Sequence, residues 1–207
     1  MSIKDLSQLN DMHIDVLKEI GNIGAGNAAT SLAQMMNRKI DMVAPAVRVL
    51  DIADADRALG GPETPVVAIL VELHGDIRGI MMFVIGQKFA QTLLQGLLGE
   101  EKSDCLHLSD MEHSALSEIG NIMIGSYTAA IASLSNLEIK ISVPAVTADM
   151  VGSLLTVPAA EMGSVSDKII FIEDDFINSN DIITANMMLI PNLESLNKLM
   201  NSLGIAL

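Results

Sequence analysis

The sequence predicts an α+β fold in which a helix, three strands and a second helix occur twice, so that three plus three strands can build one shared sheet. Three observations predict this fold. A five-residue sequence returns 99 positions later, helical periodicity surrounds each copy, and runs rich in β-branched residues follow each helix. We therefore expect a single domain over residues 1–207, made of two repeats at about 9–99 and 108–207.

The repeated sequence is Glu19–Ile23, which returns with identical letters as Glu118–Ile122. Polar, glycine and proline positions around it keep the same offset, which indicates duplication rather than shared composition. The mostly polar segment from Gly99 to His107 is the expected boundary between the repeats. The equivalent positions include Gly26 and Gly125, Asn37 and Asn136, and Pro45 and Pro144.

A long helix is predicted from about Leu9 to Asn37, and the second repeat has the same pattern. At about 100° per residue, Asp15, Glu19 and Asn22 lie nearly opposite a mostly apolar stripe. Ser114, Glu118, Asn121 and Gly125 share the corresponding polar face of the second helix. The expected buried stripes are Leu17, Ile20, Gly24, Ala28, Ser31 and Met35 in the first helix, and Leu116, Ile119, Met123, Tyr127, Ala130 and Leu134 in the second.

Glycines inside these helices call for an explanation, because each costs about 1 kcal/mol relative to alanine. Close packing of helices or close approach of a partner would supply one. For Gly26 and Gly125 we favour the approach of a partner, since both lie on the polar face.

Strands are predicted after each long helix. The run from Ile40 to Leu50 contains a proline and is typical of an edge strand or a strand start. Loops are expected at 54–65 and 159–167, and Asn192 is a plausible cap for the last helix. The other predicted elements are strands at Val66–Val71, Gly79–Ile85, Ile139–Val146, Lys168–Glu173 and Ile182–Ile190, and helices at Lys88–Leu98 and Asn192–Leu203.

Composition narrows the classes of function. The net charge is −14 and the sequence pI is about 4.4, so we expect no nucleic-acid binding and partners with a basic docking patch, although solubility alone would also explain the charge. Fourteen Met and only five aromatic residues predict an aliphatic, methionine-filled core. No signal peptide or membrane-spanning run is evident, which favours a cytoplasmic location without membrane insertion.

Several familiar chemistries are disfavoured. Gly24–Ala29 matches a dinucleotide fingerprint, but helical periodicity runs through it where a preceding strand is required. The four histidines lack metal-ligand spacing, Cys105 and His107 are too little to argue a nucleophile with its base, and no metal site is expected. Asp174 and Asp175 are interpreted as solvated loop acids.

One pattern remains, and it occurs in both repeats. A glutamate is followed three residues later by an asparagine, and a glycine lies one helical turn after the asparagine. A single such pair is often only a solvated helix face. Two pairs on matching faces favour a function. A carboxamide can hold a water through one acceptor and one donor, and a nearby carboxylate can hold a basic group of a partner. Together they suggest a helix inserted into the active site of another protein.

On these residues the chain resembles the CheC/CheX/FliY family of phosphatases that act on the phosphorylated chemotaxis response regulator CheY. The family pattern is Asp or Ser, three residues, Glu, two residues, Asn, then 22 residues and Pro. Two copies favour the CheC type, because CheX-type members carry one working motif and FliY adds a C-terminal domain for which nothing remains after Leu207. The pattern is met by Asp15, Glu19, Asn22 and Pro45, and by Ser114, Glu118, Asn121 and Pro144.

The resemblance implies a pseudo-twofold α+β fold: a six-stranded, mostly antiparallel sheet with the two long motif helices on one face. It also implies that Asn22 or Asn121 orients the attacking water, while Glu19 or Glu118 pairs with the active-site lysine of the regulator. No cofactor of its own is implied, and Mg²⁺ is expected on the CheY substrate.

The resemblance further implies binding of the deamidase CheD, with a contact after Pro144 that includes Asp149. Binding would inhibit CheD and raise the phosphatase activity. The alternative is a non-catalytic adaptor that docks CheY or sequesters CheD, since a docking face could use the two glutamates without turnover.

Overall fold

Two helices of equal length carry the repeated motifs. The computed structural model describes residues 5–99, 104–162, 168–178 and 181–205. After a short 3-10 helix at Leu6–Gln8, α1 spans Asp11–Met36 and α4 spans Asp110–Ser135, each with 26 residues. Both begin with a capping box and end at an asparagine in the left-handed conformation, Asn37 and Asn136. The predicted helices are thus confirmed with matching ends.

The strands form one antiparallel sheet. Its order is β1-β7-β8-β4-β3-β5, with β2 beside β7 and β6 beside β3. The path therefore has six strand positions, which confirms the expected six-stranded antiparallel sheet. The strands are β1 (Asp41–Met42), β2 (Ala46–Asp51), β3 (Pro65–Gly75), β4 (Gly79–Gly86), β5 (Ile139–Ile141), β6 (Ala145–Met150), β7 (Lys168–Asn178) and β8 (Asp181–Pro191).

Each edge of the sheet is a broken strand. β1 and β2 both pair with β7, and the chain leaves the ladder between them, where Pro45 lies. β5 and β6 both pair with β3, with Pro144 in the corresponding gap. Proline has no N–H to donate to a ladder, which explains a break at an edge. Each edge strand pairs with a strand from the other half of the sequence; the division into two repeats stays a prediction.

The long helices cover one face of the sheet together with two shorter helices, at Gln87–Leu98 and Leu193–Ser202. The helices at Ile52–Ala58 and Val151–Leu154 pack on the other face. Leu17 and Ile20 of α1 and Leu116 and Ile119 of α4 are buried in the core on the first face, as their stripes predicted. The stripes are less buried toward the ends of the helices, where Ser31 and Met35 are half-buried and Leu134 is 39% exposed. The remaining helices are α2 (Ile52–Ala58), α3 (Gln87–Leu98), α5 (Val151–Leu154), α6 (Thr156–Met162) and α7 (Leu193–Ser202).

Two predicted loops are partly helical. α2 begins at Ile52 and α6 includes residues 159–162, so the loop prediction was wrong for 54–58 and 159–162. Residues 163–167 lie outside the described part. The physical reason is that both helices have only seven residues, so the sequence has no long periodic run there. In the described residues, no helix is long and apolar enough to cross a membrane.

Candidate functional site

The four central motif side chains lie on exposed helix faces. Glu19 and Asn22 of α1 are exposed, and so are Glu118 and Asn121 of α4. Residues three apart on a helix are neighbours, so each glutamate stands beside its asparagine. The structure therefore brings the predicted pairs together within each helix.

The two pairs make no internal polar contacts. Within the described ranges, the side chains of Glu19, Asn22, Glu118 and Asn121 have no hydrogen-bond or ion-pair partner. Asp15 differs, because its Oδ1 lies 2.9 Å from Nζ of Lys18. In a chain with net charge −14, two carboxylate–carboxamide pairs are left available to a basic partner.

The first pair is flanked by the break between β1 and β2. A methyl group added to Gly21 would lie 3.2 Å from Cγ of Pro45, and one added to Gly26 would lie 4.0 Å from Sδ of Met42. The segment 42–45 therefore runs along α1 beside the turn that holds Asn22. Val43 N donates a 3.0 Å hydrogen bond to the carbonyl oxygen of Asp175, which ties this segment to β7.

The second pair lines an open depression of about 370 Å³. Its lining residues are Ser117, Glu118, Asn121, Ile141, Ser142, Val143 and Pro144. Ser142 holds the break between β5 and β6 against β3: its N donates to the carbonyl oxygen of Glu72, and its Oγ accepts from Glu72 N, both at 3.0 Å. The motif proline thus belongs to a fixed wall beside the glutamate and asparagine.

Three of the helix glycines are explained by close packing. Gly21 faces Pro45, as described above. A methyl group on Gly24 would lie 2.6 Å from the ring of Tyr127, where α1 meets α4, and one on Gly120 would lie 2.2 Å from Cγ2 of Ile69 in β3. Glycine at these positions lets the motif helices approach each other and the sheet.

The glycines on the polar faces have open space around them. A methyl group on Gly125 would meet no described atom within 4 Å, and one on Gly26 would meet only Met42 Sδ, at 4.0 Å. Both residues are half-buried. Internal packing does not require glycine here, and approach of a partner stays a prediction for both.

Asp174 was predicted to be a solvated loop acid, and this prediction was wrong. It lies within β7, is 1% exposed, and its Oδ2 accepts a 2.5 Å hydrogen bond from Tyr127 Oη of α4. Burial raises the pKa of Asp174 to about 7, against the lowering effect of the tyrosine hydrogen bond. Asp175 was also misassigned to a loop; it is a half-buried β7 residue that accepts from Thr184 Oγ1 at 2.5 Å.

The other candidates have local structural roles. His13 completes the capping box of α1, and Nε2 of His113 lies 3.0 Å from the carbonyl oxygen of Val146. Cys105 is buried. Gly24–Ala29 lies in the interior of α1, without the strand that a dinucleotide fingerprint needs. Among the residues that the structure describes, no group of three or more His, Cys, Asp or Glu side chains is arranged to hold a metal ion.

Asp149 lies apart from the motifs, near the end of edge strand β6. Its carboxylate accepts from Met150 N at 2.7 Å and from Ser153 Oγ at 2.8 Å. Both hydrogen bonds lower the pKa of Asp149, and the one from Ser153 has the larger effect. The residue is exposed, and Met150 beside it is 39% exposed.

Known proteins of similar sequence share the segments that carry both motifs. A profile of the CheC-like family matches residues 12–49 and 111–147, which include both motifs. The CheY-P phosphatase CheC of Bacillus subtilis (strain 168) is 34% identical over 203 residues, covering 96% of this chain and 97% of its own length. The flagellar motor switch phosphatase FliY of the same strain is 32% identical over 145 residues, covering 70% of this chain and 38% of that protein.

The fold has a solved counterpart in the crystal structure of Thermotoga maritima FliY, with a TM-score of 0.75. Identity there is 21%, and the match covers 95% of this chain and 98% of that one, so the likeness concerns the fold. The sequence relationship to the Bacillus subtilis protein extends over nearly the whole chain and includes both exposed Glu-Asn pairs. The chain therefore belongs to the CheC-like family.

Proposed function

We propose that the chain is a chemotaxis phosphatase that hydrolyses the aspartyl phosphate of a CheY-type response regulator. The proposal rests on the two exposed helix faces that carry Glu19 with Asn22 and Glu118 with Asn121. None of these side chains has a polar partner among the residues that the structure describes. The full-length relative named as a CheY-P phosphatase supports it. The enzyme is a hydrolase that acts through a helix presented to its protein substrate.

The asparagine positions the attacking water. The carboxamide oxygen accepts a hydrogen bond from the water and the amide nitrogen donates one, which aims the water oxygen in line with phosphorus. A bond forms between the water oxygen and phosphorus, and the bond between phosphorus and the regulator's aspartate oxygen breaks. The electron pair stays on the regulator's carboxylate, and the protons of water leave with inorganic phosphate and solvent.

The glutamate docks the regulator. A carboxylate one helical turn from the asparagine can pair with the lysine of the regulator's active site and fix the register of the two proteins. The regulator supplies its own Mg²⁺, which neutralises charge on the phosphoryl group. Positioning and electrostatics account for phosphoryl transfer in this arrangement, so the helix needs no nucleophile or cofactor of its own.

Binding of the deamidase CheD is the second part of the proposal, with Asp149 as a contact. The exposed carboxylate at an edge strand, next to half-exposed Met150, supports this position. Asp149→Lys is expected to weaken binding of CheD in a pull-down or by calorimetry. Asp54→Lys, at an exposed position of α2, is the matched control and should bind as the unchanged protein does. We place both interactions in the cytoplasm.

The decisive experiment follows loss of radiolabel from the aspartyl phosphate of a CheY-type regulator. The unchanged protein should accelerate the loss, and the double variant Asn22→Ala with Asn121→Ala should abolish acceleration while still binding the regulator. Binding lost in parallel with turnover would contradict the water-positioning role. No acceleration by the unchanged protein, even with CheD present, would instead favour an adaptor that docks the regulator or sequesters CheD.

A further inference from the structure

Large apolar side chains are exposed at the same places around both motifs. Met12 is 62% exposed and Met111 is 68% exposed, and these two residues are equivalent in the repeat. Each precedes its glutamate by seven residues, which is two helical turns, so each lies on the polar motif face of its helix. Exposure of an unbranched apolar side chain at both equivalent positions has no explanation in the packing of the core.

A valine is exposed on the other side of each motif. Val143, in the wall of the second depression, is 87% exposed, and Val43, in the segment beside the Asn22 turn, is 46% exposed. The two valines are one position out of register in the repeat, because Val143 is equivalent to Ala44. Both sit in segments held by backbone hydrogen bonds to the neighbouring strand, through Ser142 in one case and through Val43 itself in the other.

We propose that these residues form an apolar rim around each motif, Met12 with Val43 and Met111 with Val143, that docks the receiver domain of the regulator. This inference rests on the proposed function and names which side chains select the protein substrate. Eight large apolar residues are exposed in the described part of the chain, and four of them belong to the rims. The other four are Leu134, Met150, Val157 and Ile182.

The occupant follows from the combination of charge and apolar surface. Glu118 is unpaired within the described ranges and lies between Met111 and the wall that carries Val143. A partner that fits must present a cation with apolar side chains next to it, and an aspartyl-phosphate site with its lysine provides the cation. The glutamate and asparagine alone bury too little area for a specific complex, since even weak, transient interfaces bury on the order of 1,000 Å² in total. Exposed methionines suit such a surface because they adapt to the partner.

The test isolates the second site. In an Asn22→Ala background, Met111→Gln plus Val143→Ser should raise KM for the phosphorylated regulator about tenfold while kcat changes less than twofold, because the rim acts in docking. Affinity for the regulator loaded with beryllofluoride, which mimics the phosphoryl group, should fall by the same factor. Val157→Ser in the same background replaces an exposed valine of α6, outside the rims, and should leave KM and affinity unchanged.

The outcomes separate this inference from the proposed function. If the Asn22→Ala protein does not accelerate dephosphorylation while the unchanged protein does, the same substitutions are made at Met12 and Val43 in an Asn121→Ala background. An unchanged KM in an active background overturns the rim. A fall in kcat alone also overturns it, as does a change in sedimentation that shows the rim joining two copies of this chain. Loss of acceleration by the unchanged protein would instead contradict the proposed function itself.

Discussion

The hydroxyl of Tyr127 donates a 2.5 Å hydrogen bond to Asp174 inside the core, joining α4 to β7. The ring of the same tyrosine occupies the space left by Gly24 of α1. One side chain thus connects both motif helices and the sheet. Burial, followed by the neighbouring Asp174 charge, raises the pKa of Tyr127 well above 10, so the phenol remains a donor across the physiological range.

Asp174 should make folding stability depend on pH. Its pKa is raised to about 7 in the folded protein from an ordinary value of 3.8, so the folded state binds the proton more tightly than the unfolded state. Stability from this group is therefore greatest at low pH and is lost as pH rises from about 4 to about 7. Asp174→Asn keeps an acceptor for Tyr127 and removes the charge. As pH rises from about 4 to about 7, the variant should become increasingly more stable than the unchanged protein. Above about pH 7 the difference in stability should stay constant.

Urea unfolding at pH 5 and at pH 8 measures this difference. The free energy of unfolding of Asp174→Asn, relative to that of the unchanged protein, is expected to be larger at pH 8 than at pH 5 by on the order of 2 kcal/mol or more. Asn27→Ala, which changes no titratable group, is the control, and its stability difference from the unchanged protein should be the same at both pH values. An advantage that is equal at both pH values would show that Asp174 is ionised throughout.

The glycines of α4 should respond in opposite ways to alanine. Gly120→Ala places a methyl group 2.2 Å from Ile69 Cγ2, and overpacking of this kind costs about 1–3 kcal/mol. Gly125→Ala meets no described atom within 4 Å and should gain up to about 1 kcal/mol from helix propensity. Chemical denaturation of the two variants side by side checks the contrast.

If a regulator approaches at Gly125, the stabilised variant should nevertheless lose activity. In the Asn22→Ala background we expect Gly125→Ala to raise KM several-fold. Full activity of a more stable Gly125→Ala protein would show that nothing approaches this face closely.

The glutamates should govern docking through charge. Glu118→Gln keeps the shape and removes the charge that we propose pairs with the regulator's lysine, so KM at low ionic strength should rise about tenfold in the Asn22→Ala background. Added salt should weaken docking of the parent protein more than that of the variant, because screening acts on the charge pair. Glu63→Gln, an exposed acid in the loop before β3, is the control. Equal salt dependence in variant and parent would contradict the pairing.

Sequence periodicity predicted the long helices and the exposed faces that they carry. It failed for residues whose environment is set by tertiary contacts with distant parts of the chain. The long helices and their exposed Glu-Asn pairs follow from spacing alone, and both ends of α4 lie 99 residues after those of α1, which is the offset of the repeated sequence. Asp174 could not be predicted in this way, because acids are rare in strands and the donor that makes its burial tolerable comes from Tyr127, which is distant in the sequence. For the same reason, the sequence showed that glycines inside the long helices needed an explanation, but it left close packing and the approach of a partner open and identified neither Tyr127 nor Ile69.

The two motifs should contribute separately to turnover, since each lies on its own helix with its own flanking wall. Asn22→Ala leaves only the second site and Asn121→Ala only the first, so at low regulator concentration their rates should add up to the rate of the unchanged protein. Asn27→Ala removes another exposed carboxamide from α1, outside the motif, and should retain the full rate. Loss of radiolabel from the phosphorylated regulator measures all four proteins. A sum well below the parent rate would mean that the sites cooperate, which the Tyr127 contact with Gly24 of the other motif helix could transmit.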